Sequence, residues 1–312
     1  VDEPPPMLEP VVISPPIKSE PIVVKPEPKP ARPSGLRLAI KWGGVGLGAI
    51  VIALTTYAAL NSPSNTQPLL NLGDEFTENL NGVKLEMKLV YGGKFLMGSP
   101  TNEPERYKDE GPQHQVTVPS FYIGKYEITQ EQWKAIMGIN NNPSFFKGDN
   151  LPVENISWND AKIFCEKSSV VTSKIYMLPS EAEWEYACRA GTTEPYEDNL
   201  NAVAWYGYDN NSGTTYSVGQ KQPNAFKLYD MRGNVWEWCE DSWYGNYDYA
   251  PTDGSAWLDG LWGWFSDKRH VLRGGSWNSP GKRCRSAQRT YLMSDDHDKF
   301  TGFRVAVSAR TQ

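Results

Sequence analysis

The sequence is poor in the residues that usually carry metal or redox chemistry. Its 312 residues include four cysteines and three histidines, and no two cysteines are spaced as Cys-x-x-Cys. His114, His270 and His297 are far apart in the chain, whereas a facial iron site needs two histidines and a carboxylate that converge. We interpret the histidines as isolated surface or hydrogen-bonded side chains.

A cationic surface for nucleic acid is also missing. The formal net charge is -6, and no run of Lys or Arg occurs in the C-terminal two thirds of the sequence. Proteins that hold a phosphate backbone cluster such cations on one face. We therefore expect no nucleic-acid partner.

The few cysteines stand in apolar or aromatic surroundings. Cys165 lies in IFCEK, Cys188 in EYACRAG and Cys239 in VWEWC, and Cys284 is the fourth. Four cysteines are sparse for a disulfide framework in a chain of this size. We interpret most of them as buried small hydrophobes, with room for one disulfide.

What the sequence has in excess at its N-terminus is proline. Residues 1–35 hold 11 of the 24 prolines, and proline removes a backbone donor and fixes φ. We expect residues 1–41 to form a disordered, extended linker without a core of its own. The chain opens on Val1 instead of Met, which suggests that residues upstream were removed.

A run of 19 residues without charge follows, from Trp42 to Leu60. A helix of that length spans roughly 30 Å, the thickness of a bilayer's hydrocarbon core. A buried core helix is the alternative, but it would normally show a polar face. Basic residues precede the run, so the positive-inside rule places the N-terminus in the cytoplasm. We predict a single-pass protein with a membrane span at 42–60, a linker at 61–81 and an exported, periplasmic or extracellular domain at 82–312.

Strand and helix signals begin near Gly82. The segment VKLEMKLV alternates apolar and polar residues and the chain then turns at Gly92-Gly93, which predicts a first pair of strands. The segment HQVTV repeats the alternation. Three helices are predicted after Thr129, Ser157 and Ser180, each of which precedes an amphipathic run.

Helix stops are predicted at Gly138 and Gly191. Beyond Gly191 little periodic structure appears until the strands predicted in HVLRGGSW and GFRVAVSA. A gap of about 80 residues without regular elements is unusual unless the loops are functional or pinned by ions.

Seven segments occur in the order that one known family uses. They are GGKFLMGS, VTVPSFYIGKYEIT, PVENISWNDAKIFC, YMLPSEAEWEYACRAG, PNAFKLYDMRGNVWEWCED, LRGGSW and GFRVAV. Together they resemble the formylglycine-generating enzyme, or sulfatase-modifying-factor, family over Val83 to Ala309. The resemblance implies an α+β, C-type-lectin-like fold with few strands, two to three helices and long ordered loops, preceded here by the single transmembrane helix.

The enzymes of this family oxidise a substrate cysteine with two copper-binding cysteines that follow the Gly-Gly-Ser motif. Thiolates suit the soft Cu(I) ion. The corresponding interval, WNSPGKRCRSAQR, contains only Cys284, and counting back from Ala287-x-Arg289 places it on neither catalytic position. We therefore expect no catalytic residues and no copper. Another branch of the family holds iron through a His-rich motif, which the three separated histidines do not reproduce.

The resemblance also implies a structural calcium site. The matching positions are Asp230, Gly233, Val235 and Glu237 in YDMRGNVWE, where the family uses a side-chain oxygen, two backbone carbonyls and a glutamate. Ca²⁺ takes roughly six to eight hard oxygens, and Gly233 permits a turn that aims carbonyls inward. A tight turn whose Asp and Glu face water is the alternative.

The C-terminal segment has regular ends and an irregular middle. RGGSW and GFRVAV are typical of fixed structure, whereas the residues between them show no period. This arrangement resembles the variable proteins of diversity-generating retroelements, in which the same fold displays a hypervariable surface near the C-terminus. The resemblance implies that structural strands at Arg273–Trp277 and Gly302–Val307 flank a ligand-contacting surface. Its candidate contact residues are Asn278, Ser279, Lys282, Arg283, Gln288, Thr290, Tyr291, Leu292, Met293, Asp295, Asp296, His297, Lys299 and Phe300.

The sequence thus predicts a membrane-anchored ligand-binding protein whose partner is an unknown protein or surface ligand. One alternative is an oxidase related to the formylglycine-generating enzyme. Another is a structural or chaperone-like partner in an exported assembly, which would use the aromatic insertion SAWLDGLWGWFSD. In a third, the irregular C-terminal segment is ordinary structure and Phe300 packs into the core.

Overall fold

The computed structural model describes residues 72–196, 199–207, 213–258 and 268–309. Within these residues the helices are α1 (Gln130–Met137), α2 (Trp158–Thr172), α3 (Glu181–Arg189) and the single turn α4 (Leu200–Val203). The strands are β1 (Glu75–Leu80), β2 (Val83–Val90), β3 (Gly93–Met97), β4 (His114–Val118), β5 (Phe121–Gly124), β6 (Tyr176–Met177), β7 (Trp236–Ser242), β8 (Arg269–Arg273), β9 (Arg289–Met293), β10 (Thr301–Gly302) and β11 (Ala306–Ser308). The architecture is mixed α+β with few helices, as predicted.

The largest sheet has the strand order β1-β2-β5-β11-β6 and is antiparallel throughout. β1 and β2 form a hairpin that reverses at Asn81-Gly82, where φ is 51° and 99°. The first strand therefore precedes residue 82, where the sequence places the start of the domain. Periodicity did not show β1 because only Phe76 and Leu80 of its six residues are apolar, although both pack on the core.

The strand pair predicted across Gly92-Gly93 does not form. β2 pairs with β1 and β5, whereas β3 pairs with β4 in a separate two-stranded sheet. An added Cβ at Gly92 would lie 2.4 Å from the Val118 carbonyl oxygen, so only glycine fits this crossing. The chain turns out of one sheet and into another at this point.

A four-stranded sheet of order β10-β7-β8-β9 carries the C-terminal segment. β7 lies in the stretch for which the sequence predicted no regular element. Six of its seven residues are buried, so both faces are covered and no alternation appears in the sequence. β8 ends at Arg273, and Gly274 and Gly275 turn with φ of 99° and 82°. The strand predicted over HVLRGGSW is therefore shorter than its motif.

The three predicted helix starts are confirmed. Thr129, Ser157 and Ser180 are N-caps, and each forms a reciprocal capping box with the residue three positions on. α1 ends at Gly138, which has φ 111°. The C-cap of α3 is Ala190 in the left-handed region, one residue before the predicted stop.

Two apolar clusters fill the interior. In one of them, Trp133 stacks on Phe164 at 5.6 Å between ring centroids, and Phe303 packs edge-on against both. The other includes Trp184 and Phe121. All four cysteines are buried and free, so their predicted burial is confirmed and no disulfide joins them.

The predicted linker at 1–41 and membrane span at 42–60 lie outside the described residues. In the part of the chain that the structure describes, no helix has both the length and the apolar character needed to cross a bilayer.

Candidate ligand-binding groove

The C-terminal segment leaves β8 through a tight glycine turn. A Cβ added at Gly275 would lie 2.8 Å from the Sγ of Cys284, so the chain approaches itself closely there. The next turn is held by Ser279, whose Oγ accepts the N–H of Ser276 at 3.0 Å. These contacts fix the start of the segment against the body of the domain.

Beside this turn lies a groove of about 450 Å³. Five of the predicted contact residues line it, namely Asn278, Ser279, Lys282, Arg283 and Phe300. The remaining lining residues are Tyr107, Trp236, Ser276, Pro280 and Asp298. The ring of Trp236 is 7% exposed, whereas Lys282 and Arg283 are exposed. The groove therefore combines a buried aromatic ring with two cations that reach solvent.

A row of aromatic rings continues from the groove. Centroid distances are 5.2 Å from Phe300 to Trp277, 5.5 Å from Trp277 to Phe146 and 5.0 Å from Phe146 to Phe145. The Nζ of Lys299 lies 5.0 Å from the Phe145 ring and 5.6 Å from the Phe300 ring. Phe145 is 64% exposed and Trp277 only 9%. We call these four rings the aromatic ridge, and Phe300 belongs to both the ridge and the groove.

Two predicted contact residues are buried. Ser279 is 5% exposed and holds the turn at the groove, while Gln288 is 3% exposed. Gln288 accepts a hydrogen bond from Arg285, which also pairs with Glu103 and Glu110 through its Nη1 at 2.6 and 2.7 Å. Gln288 is therefore buried and bonded within the domain, and its role as a contact residue stays a prediction. This part of the segment lacks a period because its buried side chains are polar and individually bonded.

β9 divides further candidates between two sides. Tyr291 and Met293 are 40% and 41% exposed, whereas Leu292 packs against the core and Thr290 is half-buried. The Tyr291 ring lies 4.8 Å from that of Trp243. Tyr291 and Met293 therefore lie on the outer side of β9 and Leu292 on its inner side, because side chains alternate along a strand. The exposed loop after β9 contains Asp295, Asp296 and His297.

Cys284 is poorly placed for thiolate chemistry. Its side chain is 0% exposed. Burial raises the pKa of the thiol to about 12; Arg232 opposes this shift and Cys188 adds to it. A buried, neutral thiol is a weak nucleophile and a weak copper ligand.

The three histidines lie in different surroundings. His114 packs 5.1 Å from Tyr247, His270 stacks on Trp158 at 3.8 Å, and His297 is exposed. Among the described residues, no group of three or more His, Cys, Asp or Glu side chains is arranged to hold a metal ion. A cation in this part of the chain would therefore depend on backbone carbonyls as well as carboxylates.

The predicted calcium residues lie in β7 and the turn before it. Asp230 Oδ2 accepts the Gly219 N–H at 2.7 Å, whereas Oδ1 is buried and has no hydrogen-bond partner in the described chain. Burial raises the pKa of Asp230 to about 6. Glu237 accepts bonds from Arg304 at 2.6 and 2.7 Å and from Trp184 Nε1 at 2.7 Å. Asp230 thus offers an unused oxygen, while Glu237 is already paired with a guanidinium.

Glu127 holds the same turn from the other side. Its Oε1 accepts the N–H of Val235 at 3.1 Å. Gly233 has φ 75°, and a Cβ there would lie 2.0 Å from the Trp205 carbonyl oxygen. Burial, followed by the charge of Asp230, raises the pKa of Glu127 well above its usual range. Three buried carboxylates therefore share one buried guanidinium, which leaves an excess of negative charge when all are ionised.

Sequence reasoning missed the groove and ridge residues that lie outside the C-terminal segment. Tyr107 comes from the charged stretch ERYKD, Trp236 from the start of β7, and Phe145 and Phe146 from the loop after α1. An aromatic residue within a polar loop was the available signal, because such rings seldom face solvent without a contact.

The chain is similar in sequence and in structure to several known proteins. A family model described as a sulfatase-modifying factor enzyme 1-like domain matches residues 75–309. The chaperone protein LppX of Paenibacillus barcinonensis is 31% identical over 248 residues, which covers 62% of this chain and 79% of the relative. The structure of PvdO from Pseudomonas aeruginosa has a TM-score of 0.67 and 32% identity, covering 75% of this chain and 98% of that one. Variable protein 1 of Treponema denticola has a TM-score of 0.65 and 28% identity, covering 75% and 99%.

Proposed function

The chain belongs to the sulfatase-modifying-factor family and has its mixed α+β, C-type-lectin-like fold, and we propose that it works as a membrane-anchored ligand-binding protein. The observation that carries the proposal is the groove beside the glycine turn. Exposed cations and aromatic rings line it, and no cysteine occurs among its described lining residues. Such a surface can bind a ligand but offers no thiolate for oxidation chemistry.

The similarity to variable protein 1 supports a surface that tolerates substitution. Replacement should disturb the fold little at the exposed candidates, which are Lys282, Arg283, Tyr291, Met293, Asp295, Asp296 and His297. By contrast, Phe303 of the flanking motif is 0% exposed. The exposed and buried residues of the segment are thus interleaved, and the exposed ones are proposed as contacts together with Asn278 and Phe300, which line the groove.

An oxidase related to the formylglycine-generating enzyme is the first alternative. It would need a reactive thiol pair, and Cys284 is buried with a raised pKa. A chaperone-like role is the second, and the similarity to LppX favours it. Part of the aromatic insertion, residues 259–267, lies outside the described residues, while Trp257 stacks on Tyr244 at 3.8 Å.

We also propose Ca²⁺ at the turn before β7, with Asp230 as its main carboxylate. The support is the buried, unpartnered Oδ1 of Asp230 and the excess of carboxylates around Arg304. The carbonyls of Gly233 and Val235 and the remaining lone pair of Glu237 would add three oxygens, and water would supply the rest of the roughly six to eight that Ca²⁺ takes. The ion would supply charge compensation and fix the turn, as hard cations do in oxygen-lined loops.

The anchor and the exported location are proposed from the uncharged run at 42–60 and its basic N-terminal flank. Protease treatment of intact spheroplasts tests both. A protected N-terminal fragment and a digested C-terminal domain are expected. Recovery of the full chain in the soluble fraction would contradict the anchor.

Panning a random-peptide library against the immobilised full chain in detergent tests ligand binding. Wild type should enrich a peptide consensus, and Asn278→Trp, which places an indole in the groove, should abolish the enrichment. The matched control is Lys167→Trp on the exposed face of α2. No enrichment by wild type, or equal enrichment by Asn278→Trp, would refute the groove as the binding site.

A further inference from the structure

We propose that the groove and the aromatic ridge together recognise an acidic peptide that carries aromatic side chains. The inference rests on the proposed binding function and names its ligand class. To bind such a peptide, the surface must present both positive charge and exposed ring faces close enough together for one short peptide to contact them.

The positive charge comes from three side chains. Lys282 and Arg283 lie at the groove and Lys299 lies over the ridge, and none of them pairs with a carboxylate within the described residues. Asp298 is the one carboxylate among the described lining residues, and its Oδ1 accepts the Phe300 N–H at 2.9 Å. Three cations thus face one carboxylate on a chain whose net charge is -6.

The cations of the groove and ridge differ from several lysines whose charge is neutralised by a carboxylate within the domain. Five lysines in other regions have carboxylate partners, namely Lys88, Lys125, Lys134, Lys162 and Lys174. The cations of the groove and ridge keep their charge available. Complementary charge across an interface steers encounter and selects partners of opposite sign.

The ring faces come from the ridge. Phe145 is 64% exposed and Phe300 is half-buried, so each presents part of its ring to a ligand. Phe146 and Trp277 join them into one continuous row through contacts of 5.0 to 5.5 Å. A ligand aromatic side chain can pack against such a row, because rings attract one another in offset and edge-on geometries.

The polar groups of the groove suit a peptide backbone. Asn278 lines the groove and offers an amide that both donates and accepts hydrogen bonds. The groove opens through Phe300 onto the ridge, so an extended chain can occupy both. A nucleic acid fits less well, because proteins that hold its dense phosphates cluster many cations on one face and this surface supplies three.

The test uses the full chain in detergent and three fluorescein-labelled peptides of equal length. One alternates Glu and Phe, the second alternates Lys and Phe, and the third alternates Glu and Gly. Fluorescence anisotropy should show binding of the Glu-Phe peptide, with at least tenfold weaker binding of the other two. Raising the salt from about 0.1 M to about 1 M should weaken the Glu-Phe complex, because the Debye length falls from about 10 Å to about 3 Å.

Two variants locate the charge. Lys282→Glu with Arg283→Glu should weaken Glu-Phe binding at least tenfold, whereas Lys84→Glu with Lys167→Glu, an equal change of charge at exposed positions away from the groove, should not. Phe145→Ser should weaken binding without lowering the melting temperature, since this ring is largely exposed.

The outcomes separate this inference from the proposed function. If the Lys-Phe peptide binds as tightly as the Glu-Phe peptide, the ligand is not acidic and the inference is wrong. The inference is also wrong if binding is lost only in the control variant, Lys84→Glu with Lys167→Glu. If panning succeeds on wild type but yields basic or neutral peptides, the groove binds ligands and the present inference is wrong. Failure of both experiments would overturn the binding function itself.

Discussion

The exposed side of β9 should contribute far less to stability than Phe303, which lies in the buried motif after β10. Tyr291 and Met293 are 40% and 41% exposed, so replacing both with Ser should lower the free energy of unfolding by less than about 1 kcal/mol. Phe303 is 0% exposed and packs edge-on against both Trp133 and Phe164, so Phe303→Ala should cost about 3 to 5 kcal/mol.

The assay is thermal unfolding of the full chain followed by near-ultraviolet circular dichroism. At about 2–4 °C per kcal/mol for a domain of this size, the double Ser variant should stay within about 4 °C of wild type. Phe303→Ala should fall by roughly 6 to 20 °C. Adding Leu292→Ser to the double variant should cost about 1 kcal/mol more, because Leu292 packs on the core. If the double Ser variant unfolds as readily as Phe303→Ala, the outer side of β9 is core and the reasoning fails.

Three further predictions concern ions, pH and the thiol. EDTA should lower the melting temperature, and the loss corresponds to about 2.7 kcal/mol if calcium was present at a hundredfold its Kd. Asp230→Asn should remove most of the difference between the melting temperatures with and without EDTA. Identical melting curves with and without the chelator would refute the calcium site. Burial raises the pKa of Glu183 and of Asp241 to about 7, so the folded state holds these protons more tightly than the unfolded state and stability should fall as pH rises from 5 to 8. The midpoint of urea unfolding, measured at pH 5 and at pH 8, tests this pH dependence. Glu183→Gln should reduce the difference between the two midpoints. A higher midpoint at pH 8 than at pH 5 would contradict the prediction. When supplied with copper and oxygen, the chain should leave a cysteine-containing sulfatase peptide unchanged. Cys284 should react with a maleimide only after the protein is unfolded. Formylglycine in the peptide, detected by mass spectrometry, would restore the oxidase alternative.

The helices could be predicted because their signals are local. Thr129, Ser157 and Ser180 each cap a helix through bonds to residues three positions away, so a short window of sequence contains the whole interaction. β7 could not be found in this way. Its faces are covered by other parts of the chain, and a strand buried on both sides shows no alternation.

The candidate site could be predicted only in part. Lys282 and Arg283 are exposed as expected, but Gln288 is buried by contacts with Arg285, whose carboxylate partners lie far away in the sequence. Tyr107 also lines the groove through a contact between segments that are far apart in the sequence, so no local pattern predicted it. Irregular sequence therefore had two causes here, exposure to solvent and specific buried polar bonding, and only the three-dimensional contacts separate them.

Hydrogen–deuterium exchange of the full chain with the Glu-Phe peptide tests the binding surface most directly. We predict slower exchange in residues 276–283, 299–300 and 145–147, which form the groove and the ridge. Exchange should be unchanged in residues 94–96, 113 and 115, which line a larger cavity of about 710 Å³ elsewhere in the domain. Protection confined to that cavity, or peptide binding without protection of residues 276–283, would contradict the account.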